Sequence, residues 1–434
     1  MTAAMYLPAS ILLIAYAAII SERVNRAVAA LIGAGVMVLA GVLDQEQAIE
    51  AIDFNTIALL TGMMIIVGVS KRSGLYGYIA IASSQAMRGS PAGILAALAV
   101  VTAVLSAFLD NVTTVLLIVP VTLVICSELK ASAYPFIFAQ IFASNIGGTA
   151  TLIGDPPNIL IGSAVGLTFS DFLLELTPVV LVALTLQTAL LQFFWGRKMR
   201  AGPAERARIM SLRPVESITD YRLLYFSLFV IGLTVAGFML ARPLALEAGG
   251  IAMSGAALLM LLDALPRPRE DHSHAAHAAF VEVEWITIFF FIGLFIVIGG
   301  VEQAGILELL AHELLAVTGG DMQTTAIAIL WASAILSAIV DNIHFVATMI
   351  PLIMNLAPAM GGEEAIMPLW WALSLGACFG GNGSLIGASA NLAAAGIAER
   401  SGVPIRFLQF TLTAFPLMIV SVALAHIYIV WRFF

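Results

Sequence analysis

Aspartate followed by asparagine occurs twice between long apolar arms, at Asp110-Asn111 and Asp341-Asn342, and each pair leads to a proline, Pro120 or Pro351. Two glycine-rich interruptions lie downstream. One runs from Asn145 through Gly147, Gly148, Thr149, Thr151 and Gly154 to Asp155-Pro156-Pro157-Asn158, the other from Gly380 through Asn382, Ser384 and Gly387 to Asn391. A carboxylate at membrane depth costs roughly 2.5–3.5 kcal/mol on insertion scales and persists mostly for function, so Asp110 and Asp341 are candidates for binding and releasing protons. The amides and hydroxyls of Asn111, Thr113, Thr114, Asn145, Thr149, Asn158, Asn342, Asn382, Ser384 and Asn391 can hydrogen-bond a polar solute. Each can equally satisfy freed backbone groups. Asp155 is divided between proton coupling and capping a half-helix that starts near Pro156. His344 is divided between a proton shuttle near neutral pH and a satisfied buried imidazole. Cys378, beside the second interruption, reads as a small hydrophobe or as a contact for a thiophilic solute.

Other chemistry is poorly supported. No nucleophile and base share a recognisable spacing, and Cys126 and Cys378 lie too far apart to suggest a metal motif or a disulfide framework. An enzyme is therefore not expected, nor a cofactor. His272, His274 and His277 are close enough to hold a metal, but with no fourth ligand evident the 263–284 segment reads as a solvated, flexible loop.

The elements that must position these residues are membrane spans. Of the 434 residues, 61% are hydrophobic and 11% charged, where soluble proteins average about 25% charged. Spans are expected at 5–20, 27–43, 56–69, 172–195, 223–241, 244–262, 285–301 and 407–433, with amphipathic pieces at 75–87 and 307–317. The 5–20 run lacks a basic leader and reads as a retained span. The segments 134–165 and 364–398 must break: Pro156 and Pro157 remove two N–H donors, and non-helical backbone in hydrocarbon is tolerated only where it lines a cavity.

The pattern is duplicated. The offset is 231 residues for Asp110/Asp341, Pro120/Pro351, Thr56/Thr287 and Gly62/Gly293, and 233 for Gly147/Gly380, Thr151/Ser384, Gly154/Gly387 and Asn158/Asn391. Residues 1–195 and 223–434 thus form two repeats joined by a 196–222 linker. Five full crossings per repeat, plus a hairpin at 91–126 or 324–360 that returns to its own side, make the second repeat inverted. Placing both termini outside puts 17 of the 19 Lys and Arg residues, seven of them in the linker, on the cytoplasmic side, leaving Arg242 and Arg432 outside. Charge alone does not separate a re-entrant hairpin from two full crossings; the repeated Asp-Asn tip favours the hairpin. The fold expected is an all-α polytopic protein of the inner membrane. The net charge of −8 comes from loop acids, and no basic face fits a nucleic acid.

The stretches "FLDNVTTVLLIVPVT", "SNIGGTATLIGDPPNIL" and "LGACFGGNGSLIGASAN" resemble those of the ArsB/NhaD permeases of the ion transporter superfamily, closest to the branch holding bacterial arsenite permeases and the melanosomal P protein. The resemblance spans essentially the whole chain. It implies efflux of arsenite or antimonite as the neutral trihydroxide in exchange for protons, with Asp110 and Asp341 alternating between protonated and ionised states. The alternative is a sodium/proton antiporter using the same carboxylates. Dicarboxylate carriers of the superfamily have Ser-Asn-Thr at the hairpin tips, so paired Asp-Asn tips disfavour an anion. A channel without coupling fits poorly with a doubled break. The expected partners are a small inorganic solute, protons and the bilayer, with a cytoplasmic ATPase subunit on the 197–222 linker left open.

Overall fold

Most spans start at a polar residue that satisfies otherwise orphaned backbone donors. Asp53 accepts from the amides of Asn55 (3.0 Å) and Thr56 (3.1 Å) to cap Phe54–Lys71. Asp220 caps Tyr221–Met239 and Asp321 caps Met322–Ile339 in the same manner. Thr168 and Asp171 form a reciprocal capping box ahead of Phe169–Phe194. The computed structural model describes residues 3–21 and 23–434, with side chains from residue 5 onward. Among the described residues the chain is all helix, without strands. Eight helices are long and apolar enough to cross a membrane, and Met5–Ile20, Arg26–Leu39, Ala248–Ala264 and Asn342–Met354 are shorter apolar helices.

Both hairpins form. Their arms are Pro91–Phe108 with Asn111–Leu129, and Met322–Ile339 with Asn342–Met354. Each first arm packs on a broken span, Tyr134–Gly148 then Pro156–Val165 in one repeat, Met367–Gly380 then Ser389–Arg400 in the other. Glycine is what allows the backbones to approach: a Cβ on Gly147 would stand 2.3 Å from the Ala103 carbonyl oxygen, and one on Gly380 2.5 Å from that of Ala334. The same hydrogen bonds recur in both repeats. Ser106 and Ser337 hydroxyls donate to the Ser144 and Ala377 carbonyls, each at 2.7 Å. The Thr151 and Ser384 hydroxyls reach back to Ala107 and Ala338. These partners keep the sequence offsets, so the duplication is carried into the tertiary contacts.

The hairpins are re-entrant. Beyond the break, Pro156–Val165 continues for about 15 Å at helical rise, and there it packs against Asn342–Met354 and Met367–Gly380 of the other repeat. The tip at Asp110 therefore stops at the level of the break. The inverted counterpart is Ser389–Arg400, which packs against Asn111–Leu129 and Tyr134–Gly148. Each repeat thus lends its second half-helix to the hairpin of the other.

On one face, the linker folds back as helix Pro203–Ser211 with Ile209 fully buried. Arg208 donates to the Glu128 carbonyl at 3.0 and 2.7 Å, and the Gln85 amide to the Leu212 carbonyl. The 263–284 segment on the same face corrects the flexible-loop expectation. It contains helix His272–Val281, whose Ala275 and Ala279, with Val283 one turn on, form a buried stripe. Arg72 and Arg267 both pair with Asp263, at 2.7 and 2.8 Å. Its histidines complete no metal-holding group among the described residues; the His272 ring instead shares a 3.0 Å hydrogen bond with the Arg267 carbonyl. On the opposite face, Arg242 pairs with Asp171 (3.1 Å) and Arg432 with Glu175 (3.0 Å).

Candidate functional site

The tip aspartates are helix caps. Asp110 Oδ1 accepts from the Thr113 amide at 2.8 Å and Oδ2 from the Thr113 hydroxyl, and Asp341 Oδ1 accepts from the Ile343 amide at 3.0 Å. Here the repeats diverge. Asp341 Oδ2 also accepts from the Ser389 hydroxyl at 2.6 Å, and lies 3.7 Å from the Arg26 guanidinium. His344 Nδ1 approaches its other oxygen at 3.7 Å. Asp110 forms no ion pair among the described residues.

Between the tips lies a buried chain of amides that joins the repeats. Asn111 Nδ2 donates to Asn145 Oδ1 at 3.0 Å, and Asn145 Nδ2 donates across the interface to Asn382 Oδ1 at 3.0 Å and Asn391 Oδ1 at 2.9 Å. Asn158 and Asn391 hold the breaks themselves. Asn158 Nδ2 donates to the Thr149 and Thr151 carbonyls (3.1 and 2.9 Å), Asn391 Nδ2 to those of Gly381 and Ser384 (2.7 and 2.8 Å). Thr149 returns its hydroxyl to the Asn145 carbonyl at 2.7 Å. Of the polar atoms here, Asn111 Oδ1, Thr114 Oγ1 and Asn382 Nδ2 are buried without a hydrogen-bond partner. An acceptor and a donor on one amide chain, with a hydroxyl on the helix that carries Asn111, are groups that a polar solute can satisfy.

Asp155 stands at the N-cap position of Pro156–Val165 but makes no side-chain cap bond. Its carboxylate is instead turned to Asn342 Nδ2, at 3.3 and 3.4 Å, and is fully buried. The duplicated position offers an internal control: 233 residues on is Ala388, with nearly the same backbone (φ −149°, ψ 143° against −146° and 133°). At this position the second repeat is satisfied by a methyl group. Asn145 and Thr149 are likewise matched by Cys378 and Asn382 at that offset.

Some contacts were not apparent from the sequence. Arg26 looked like one more loop cation, yet its guanidinium donates to the Ser389 hydroxyl at 2.6 Å and the Thr287 hydroxyl at 3.0 Å beside the second tip. Ser374 donates to Asn158 Oδ1 at 2.6 Å from within an apolar run. Only the break in the neighbouring span would have drawn attention to it.

The CitMHS family model, described as citrate transporter, matches residues 16–376. An uncharacterised transporter from Mycobacterium bovis is 43% identical over 429 residues, covering 98% of each chain. A 46 kDa membrane protein from Mycobacterium leprae is 40% identical over 98% of each. The P protein of Sus scrofa is 33% identical over 96% of this chain, which spans 59% of that longer protein. Among solved structures, the YdaH transporter of Alcanivorax borkumensis, described as having an unusual topology, superposes with a TM-score of 0.63 over 90% of both chains at 14% identity. That likeness concerns the fold. Two repeats with re-entrant hairpins and broken spans, and relatives of nearly equal length that are named as transporters, lead to one conclusion: the chain is a multi-pass membrane transporter that belongs to the CitMHS citrate-transporter family.

Proposed function

We propose that this transporter exports arsenite or antimonite, presented as the neutral trihydroxide, in exchange for protons. The observation that carries the reading is a set of orphaned polar atoms: Asn111 Oδ1 and Asn382 Nδ2, on two residues bonded to the Asn145 amide, and Thr114 Oγ1, three residues beyond Asn111 on the same helix. They match a solute that both donates and accepts hydrogen bonds and bears no charge. Asp155 is the proton carrier of this scheme. It is buried, free of capping duty and bonded to Asn342 on the hairpin of the other repeat, so its protonation state is felt where the halves meet. Asp110 and Asp341 then serve chiefly as caps, with His344 beside the latter. The linker face is taken as cytoplasmic, in an inner membrane, because it gathers most of the basic residues.

Citrate, named by the family description, fits this centre poorly. Asp110, Asp155 and Asp341 surround it, and the cation that touches a tip, Arg26, is already beside a carboxylate. The sodium/proton reading draws on Asp155, an anionic oxygen ligand facing an amide.

Solute-induced pH change in proteoliposomes separates these readings. Arsenite or antimonite gradients should drive proton movement, sodium and citrate gradients should not, and Asp155→Asn should abolish coupling in a folded protein. Proton movement driven by sodium or citrate, with none from either trihydroxide, overturns the proposal.

A further inference from the structure

A cavity of about 360 Å³ opens beside the second hairpin tip, walled in part by Asn25, Arg26, Ile286, Asp341, His344 and Ser389. It lies on the linker-face side of the tip, bordered by Ile20, Val24 and Asn25. A water molecule claims about 30 Å³ of liquid, so the space accommodates a small solute together with several waters.

The polar groups in its wall are held in place, and not all of them are used. Arg26 is fixed by the Ser389 and Thr287 hydroxyls and by the Phe290 ring, 5.5 Å from its guanidinium carbon. His344 is 1% exposed; its Nδ1 lies 3.7 Å from Asp341, beyond hydrogen-bond distance, and its Nε2 has no hydrogen-bond partner. Aromatic packing holds this imidazole: Phe290 lies 4.6 Å away and Tyr16 meets it edge-on at 5.9 Å, with the Tyr16 hydroxyl anchored on the His344 carbonyl at 2.9 Å. A ring held in this way, with Nε2 unpartnered and Nδ1 no nearer than 3.7 Å to Asp341, has a nitrogen that a ligand or ordered water can satisfy.

The other repeat shows that the fold does not require these groups. A Cβ on Gly62 would meet Ala252 and Met253, and one on Gly293 would meet Ala30 and Leu31, so the helix Ala248–Ala264 stands in the place of Arg26–Leu39. In that alignment Arg26 falls on Ala248, while His344 and Ser389 fall on Thr113 and Pro156 at the hairpin and break offsets. The equivalent cavity on the opposite face, about 400 Å³, has Asp53, Asn55, Glu247 and Ala248 in its wall and does not reach Asp110.

We propose that the cavity is a docking subsite in which a solute arriving from the linker face is held before it enters the amide centre. Arg26 and His344 donate to its oxygens, Asp341 accepts from its hydroxyls, and Ser389, which accepts from Arg26 and donates to Asp341, holds the two in place. The ligand class is a small oxyacid that both donates and accepts hydrogen bonds. The two sites adjoin, since Asp341 is followed by Asn342, which touches Asp155. The identity of the solute rests on the reading in the previous subsection, whereas the subsite rests on this geometry.

Equilibrium dialysis of the full-length protein in detergent, with antimonite, citrate and sodium as separate probes, tests the idea. Asn145→Ala should disable the centre and leave a weaker antimonite site, which Arg26→Gln in that background removes. On its own, Arg26→Gln should weaken the docking phase by about ten- to hundredfold, as expected for loss of a charge-assisted hydrogen bond. Arg26→Lys should restore part of it and Ser389→Ala should weaken it, with unfolding temperatures unchanged in variants that bind normally at the centre. If antimonite fails to bind but citrate binds and is lost on Arg26→Gln, the subsite stands and the trihydroxide reading falls. If no probe responds to Arg26→Gln or Ser389→Ala, the subsite falls, whatever the solute.

Discussion

Asparagine and aspartate cap helices about equally well, whereas alanine does not. This separates charge from structure at the first hairpin tip. Asp110→Asn should melt within error of the parent in detergent and keep proton-coupled transport, while Asp110→Ala should lose about 1 kcal/mol of stability. A thermal unfolding series alongside proteoliposome flux checks both, and loss of coupling in a normally folded Asp110→Asn protein would return the proton to the tip. Asp155 is expected to behave in the opposite way. Because Ala388 occupies its counterpart position, Asp155→Ala should fold, and both Asp155→Ala and Asp155→Asn should leave a carrier that no longer moves protons. The sequence identified Asp155 but left its role open, because a proline-led half-helix ordinarily recruits the preceding aspartate as its cap. The side chain turns away from the helix and onto Asn342, and no sequence pattern encodes that direction.

At the scale of elements, the hairpins and broken spans were legible because each departs from an otherwise uniform apolar background. An Asp-Asn pair between two arms and a Gly-Gly before Pro-Pro are conspicuous in such surroundings. The helices His272–Val281 and Pro203–Ser211 were not, since their buried faces rest on one stripe of alanines and on a lone Ile209 amid charge. The contact of each first hairpin arm with its broken span makes a symmetrical prediction. Gly147→Ala and Gly380→Ala each drive a methyl into a backbone carbonyl region, so both should abolish a monodisperse peak in size-exclusion chromatography. Gly35→Ala, with nothing within 4 Å of the added Cβ, should elute as the parent does. Tolerance of both buried alanines would mean that these elements stand farther apart than described.

The whole molecule has two faces of different character, and its orientation is testable without any solute. Ser211 is exposed at the end of the linker helix. A cysteine placed there should resist an impermeant thiol reagent added to intact cells and react once the membrane is opened. The native Cys126 and Cys378 are buried and should contribute little background. Labelling of intact cells would invert the proposed topology.

The exchange of half-helices between repeats also constrains how the protein is made. Asn111–Leu129 packs on Ser389–Arg400, a segment synthesised more than two hundred residues later. At about 5–20 residues per second, the first hairpin waits on the order of ten seconds or more for its partner. During that time Asn111 and Asn145 lie in a half-built protein without Asn382 and Asn391, which complete their amide chain in the finished one. The first repeat is therefore a poor candidate for an independent folding unit. Its hairpin should remain loosely inserted and open to insertion factors or membrane proteases until the last broken span arrives, so nascent chains cut short before Ser389 should be cleared far faster than those cut after Arg400.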